Sequence, residues 1–145
     1  MSSGAIAGCK TAGPALAAAA CGLVGCRFRL HGRDPRSGLD CVGVIAAALV
    51  ATGRPASLPR LYPLRGEPWS LITEGAARCG LIAAPAPTMA GDILLFGVGP
   101  GQVHLAVAID GTRIVQAHAG LRRVVLSTTP AEWRLLRQWR LAAHP

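Results

Sequence analysis

Four short runs in the C-terminal half constrain the fold more than any other feature: "DILLFGV", "VHLAVAI", "RIVQAHA" and "RVVLST". Each is rich in Val and Ile, as half-buried strands are. Gly-Pro-Gly at 99–101 separates the first two, and Asp110-Gly111 the next two. Asp-Gly between two such runs is a hairpin signal, so the segment predicts an antiparallel meander.

The N-terminal half has a different character. Residues 13–25 are rich in Ala and Leu and predict a helix. "RFRLHGRDPRSGLD" reads as a loop, punctuated by Gly32, Pro35 and Gly38. Residues 41–52 predict a second helix, ended by Gly53 and Pro55, and residues 69–79 a third, amphipathic one. Between them lies a proline-rich crossing that contains Tyr62. After the strands, "PAEWRLLRQW" predicts a short helix and "WRLAA" a closing strand. Helices first and antiparallel strands later define an α+β fold, with helices packed on one side of the sheet. We expect one domain over residues 1–145, with 1–12 flexible.

Composition narrows the class. The chain is 51% hydrophobic and 15% charged, which excludes intrinsic disorder. The formal charge of +8 comes almost wholly from Arg, with Lys10 the one lysine. Such a surface suits a polyanion, whether nucleic acid, anionic lipid or an acidic wall polymer. Aromatics make up 4% and are not interleaved with the basic residues, which argues against a nucleic-acid partner. No stretch has the ~20 strongly apolar residues of a membrane span. The apolar segment ending at Cys26 resembles a lipoprotein cleavage box, but its weak, alanine-heavy run reads better as a structural helix than as an export signal.

Five cysteines, Cys9, Cys21, Cys26, Cys41 and Cys79, show no paired zinc-ligand spacing, so neither a metal nor an organic cofactor is expected. Cys21, Cys26 and Cys79 read as small buried apolar residues. Cys41 differs, because it stands where a polar loop turns into a buried helix. The free N–H groups and positive dipole end of a first helical turn favour an anion there and lower a thiol pKa.

A thiol nucleophile needs a base, and the histidines are His31, His104, His118 and His144. His144 reads as a solvated tail residue. His104 opens an apolar strand; taken alone, such a residue is most often a satisfied core histidine. Beside a helix-capping cysteine it suits a Cys–His dyad, in which imidazole deprotonates the thiol and later protonates the leaving amine. Gln116 and His118 share a strand face after the Asp-Gly turn, and either could orient the imidazole.

These residues carry a family resemblance. "FRLHGRDPRSGLDCVGVI" resembles the cysteine box of the NlpC/P60 cell-wall peptidases, and "AGDILLFGVGPGQVHLAVAIDGTRIVQAHA" resembles their second box. The likeness spans about residues 13–142 and looks closest to the phage-type branch, which includes peptidases of gene transfer agents. It implies a papain-like fold, with Cys41 as nucleophile, His104 as base and Gln116 at the orienting position, usually His. His118 is the reserve. Asp40 would bind the free amino group of the stem peptide, or serve as a helix N-cap. The Cys41 N–H would be the oxyanion donor. Phe28 stands for the usual Tyr, Val42 for Ser and His31 for Gly. Arg33 would brace the loop by pairing with Asp34, or meet a substrate carboxylate.

The function so implied is a cysteine peptidase that hydrolyses the γ-D-glutamyl–diaminopimelate bond of peptidoglycan stem peptides. It would be made in the cytoplasm, carried in a phage-like particle beside tail or baseplate proteins, and act in the periplasm or wall. A structural tail protein with weak or lost catalysis is the alternative, and an acyltransferase using the same dyad a third reading.

Overall fold

The structure is a computed structural model that describes residues 4–54 and 69–142. Tyr62, most of the proline-rich crossing and His144 lie outside these residues. Three helices, α1 (Gly4–Cys21), α2 (Cys41–Ala51) and α3 (Trp69–Arg78), accompany a small hairpin, β1 (Arg33–Asp34) with β2 (Gly38–Leu39). Six further strands form one antiparallel sheet: β3 (Leu81–Ala83), β4 (Ile93–Gly99), β5 (Gln102–Ala108), β6 (Arg113–His118), β7 (Arg123–Thr128) and β8 (Arg134–Leu141). Their spatial order is β3-β8-β4-β5-β6-β7. The expected meander is therefore β4 to β7, and β8 returns to fill the place between β3 and β4.

Alternation along the strands divides the apolar side chains between two faces. Val103, Leu105 and Val107 of β5 join Val115 and Ala117 of β6 in the main core, against Leu16 and Ala20 of α1 and Val44, Ile45 and Leu49 of α2. The opposite face carries a smaller cluster of Leu94, Phe96, Ala106, Ala108 and Ile114, partly covered by Val98 and Trp133. α2 is buried almost all round, which suits its near-continuous apolar sequence.

Three expectations need correction. α1 begins at Gly4 rather than residue 13 and stops at Cys21, so it includes residues expected to precede it. Cys21, at its end, is exposed and not a core residue, while Cys26 lies beyond the helix, half-buried against the edge of the main core. The helix expected over "PAEWRLLRQW" is absent: residues 134–141 form β8, hydrogen-bonded on both sides. Its Leu, Arg and Gln residues favour helix locally, but pairing with two strands overrides that preference.

A buried ion pair ties β8 to the loop before β4. Asp92 is fully buried, and its carboxylate accepts from Arg140 Nε and Nη2, each at 2.8 Å, and from the Met89 N–H at 2.8 Å. This fork-to-fork geometry satisfies the buried charge. It also gives a structural role to the Gly-Asp step that opens the second box.

Candidate active site

The site lies where the sheet opens. β5 and β6 pair only at Val107↔Val115 and Ala108↔Ile114. Beyond these pairs the strands part. A cavity of about 330 Å³ takes in residues from both sheet faces, Val103 and Ala117 from the core side and His104, Gln116 and His118 from the other. Asp40 and Cys41, at the start of α2, complete it. Asp40, Cys41, His104, Gln116 and His118 therefore line one cavity, whereas His31 and Arg33 are not among its lining residues.

Cys41 is the first residue of α2 and is 5% exposed. Asp40 is its N-cap: Asp40 Oδ1 accepts from the Gly43 N–H at 2.8 Å. The Val44 N–H goes to the Asp40 carbonyl at 3.0 Å. Neither of these amides is available to a substrate oxygen.

The loop in front of α2 is folded back onto this cap. Asp40 Oδ2 accepts from the His31 N–H at 2.8 Å, and Oδ1 also accepts from Arg33 Nη1 at 2.8 Å. Arg33 thus pairs with Asp40 and not, as expected, with Asp34, whose carboxylate is held by Arg36. The backbones come very close. A Cβ on Gly43 would collide with the Gly32 carbonyl, and a Cβ on Gly32 with the carbonyls of Gly38 and Arg29. His31 has φ 61°, the left-handed region that favours glycine, which accounts for the Gly usual at this point of the resembling box.

His104 Nε2 lies 3.0 Å from Gln116 Oε1. On the far side of the amide, Gln116 Nε2 donates to Ser127 Oγ at 2.9 Å. With its NH₂ group so used, Gln116 presents oxygen to the imidazole. The tautomer that matches this oxygen donates from Nε2 and leaves Nδ1 with the lone pair a base requires. Gln116 is 4% exposed, so the arrangement is sheltered from water.

His104 also stacks edge-on against Trp133, with ring centroids 5.4 Å apart and planes at 75°. Burial holds its pKa below the usual imidazole value, the bond from Gln116 opposes this, neighbouring His118 lowers it further and Asp40 raises it. The imidazole of His104 meets Gln116, while His118 bonds elsewhere. Its Nδ1 accepts from the Leu121 N–H at 3.0 Å and is committed to the turn after β6.

Two participants were not legible as such. Ser127 reads as an ordinary polar strand residue, and Trp133 sits in a segment expected to be helical. The departures from the resembling boxes separate: Phe28 lines the cavity, whereas Val42 is buried in the core. Among the described residues, no three His, Cys, Asp or Glu side chains are grouped to hold a metal ion, and no helix is long and apolar enough to cross a membrane.

The chain has the NlpC/P60 fold. The NlpC/P60 domain of the peptidoglycan hydrolase SagA matches with a TM-score of 0.62 and 27% identity, over 89% of this chain and 98% of that one. The peptidoglycan hydrolase RipB of Mycobacterium tuberculosis matches with a TM-score of 0.60 and 19% identity, over 95% and 68%. NlpC1 of Trichomonas vaginalis matches with a TM-score of 0.65 and 18% identity; this chain covers only 44% of its length. No protein-family model matches the sequence, and neither does any curated protein.

Proposed function

We propose that this protein is a cysteine peptidase that hydrolyses an amide bond in peptidoglycan stem peptides. The observation that carries the reading is the shared cavity: a cysteine at the start of α2 faces the same space as a histidine hydrogen-bonded to a buried amide. The likeness to SagA and RipB, both peptidoglycan hydrolases, supports the choice of substrate.

In this mechanism His104 Nδ1 takes the Cys41 proton and the sulfur attacks the amide carbonyl carbon. The resulting oxyanion is met by the Cys41 N–H at the positive end of α2. The imidazolium returns its proton to the leaving nitrogen, the C–N bond breaks and a thioester remains. A water, deprotonated by His104, then attacks the thioester and releases the acid and the thiol. Gln116 stays hydrogen-bonded throughout and prevents the ring from rotating.

The resemblance of the two boxes points to the bond between γ-D-glutamate and diaminopimelate, to a phage-like particle as carrier and to the periplasm or wall as the place of action. Digestion of purified peptidoglycan with analysis of the fragments by mass spectrometry tests the bond. New termini at that bond, absent with Cys41→Ala, are expected; intact peptidoglycan counts against the reading and favours a structural protein of the same fold. Co-purification with tail components tests the carrier.

A further inference from the structure

A row of cationic side chains runs from the cavity to the sheet edge. Residues 25–28 lie antiparallel along β7, with the Phe28 N–H donating to the Arg122 carbonyl at 3.0 Å and the Val124 N–H to the Cys26 carbonyl at 2.8 Å. These bonds flank Arg27 and Arg123, which face each other as a bridge pair. A pair flanked in this way is the non-hydrogen-bonded kind, in which opposed side chains start closest together and leave the sheet on the same face. Arg123 is in turn opposite His118 on β6. By strand alternation this row shares its face with Gln116, and His118 at its inner end lines the cavity.

Like charges directly opposite across strands destabilise a sheet. Nothing in the described structure relieves this pair. Arg27 and Arg123 are both exposed, and all five ion pairs among the described residues use other arginines. Arg is also the side chain whose planar fork fits a carboxylate with two parallel bonds. His118 accepts at Nδ1, so its neutral ring carries the proton on Nε2 and has a donor to offer.

We propose that Arg27 and Arg123, continued by His118, form a carboxylate-binding row that receives an acidic group of the peptide entering the cavity. This rests on the reading of the cavity as a stem-peptide site. The row explains why a repulsive pair is kept beside the cleft, and it places the anionic part of the substrate on the sheet side, opposite the Asp40 end.

The test is equilibrium binding to the non-hydrolysing Cys41→Ala protein. The two probes are a stem peptide with its carboxylates free and the same peptide with them amidated. Adding Arg27→Gln and Arg123→Gln is expected to weaken the acidic peptide about tenfold, the loss of roughly one charge-assisted bond, and to leave the amidated peptide unchanged. Melting temperature provides a second reading. Removing the opposed charges should raise it at low salt, and the gain should vanish near ~1 M salt, where surface charges are screened. Equal loss for both peptides, no loss for either, or a lower melting temperature at low salt overturns the row. A parent protein that binds neither peptide overturns the stem-peptide reading itself, and the row as a substrate site with it.

Discussion

His104 Nε2 is 3.0 Å from Gln116 Oε1 across the gap where β5 and β6 have ceased to pair. A side-chain bond thus spans the opening that admits the cavity. In the proposed mechanism Nε2 is the donor in this bond, and Nδ1 is the nitrogen left to act on Cys41. Gln116→Ala should reduce kcat/KM by about tenfold to a hundredfold, as loss of a positioning bond to a general base would. Ser127→Ala should cost less and act on kcat, because the freed amide can turn its NH₂ toward the ring and favour the wrong tautomer. Steady-state kinetics with Ser127→Thr as the rescuing variant checks this; a Ser127→Ala enzyme of full activity would remove Ser127 from the account.

The depressed His104 pKa has consequences for pH. In the unfolded chain the imidazole binds a proton near its ordinary value of 6.5, while in the folded chain burial delays protonation to lower pH. The unfolded state therefore holds more protons in the window just below 6.5, and stability falls as pH drops through it. Denaturant titrations at pH 7.5 and 5.5 (about one unit to either side) should show a smaller loss for His104→Gln than for the parent. Asp40 raises the His104 pKa and His118 lowers it. Asp40→Asn should consequently move the acid limb of the rate profile to lower pH, and His118→Ala should move it upward.

The Asp40 carboxylate caps α2 and holds both the His31 N–H and Arg33. Arg33→Ala leaves that charge buried without its cation and should destabilise the fold by about 3 kcal/mol. Asp40→Asn keeps an acceptor for the cap and should cost less. If Asp40 also receives the substrate amine, Asp40→Asn will raise KM well beyond any change in stability; an unchanged KM would restrict Asp40 to the cap.

His31 occupies a left-handed conformation at φ 61°. Such a residue costs about 1 kcal/mol relative to glycine, so His31→Gly should raise Tm by roughly 2–4 °C. A lower Tm on calorimetry would mean that the imidazole contributes more than the backbone costs.

The strands from β4 to β7 were legible because Val and Ile runs and the turns at 99–101 and at Asp110-Gly111 are local signals. So was the position of Cys41, since a polar loop before an apolar run marks a helix start. Of β8 only the end was legible, as the closing strand "WRLAA"; its earlier residues prefer helix when read alone, and only two neighbours, distant in sequence, make them strand. The Arg33 partner, the Ser127 contact and the edge of Trp133 against His104 depend on three-dimensional proximity and leave no mark in spacing. Gly43 falls in the same class, because the carbonyl that forbids a side chain there arrives from Gly32.

The central claim is that Cys41 and His104 act as one unit. It is tested most directly by the pH dependence of Cys41 alkylation with iodoacetamide, in the parent and in His104→Ala, with the other four cysteines replaced. The account predicts reaction well below pH 7 in the parent and a shift toward a free thiol's pKa of roughly 8.5 in His104→Ala. A Cys41 that titrates like an ordinary or buried thiol, with no change in His104→Ala, would contradict it.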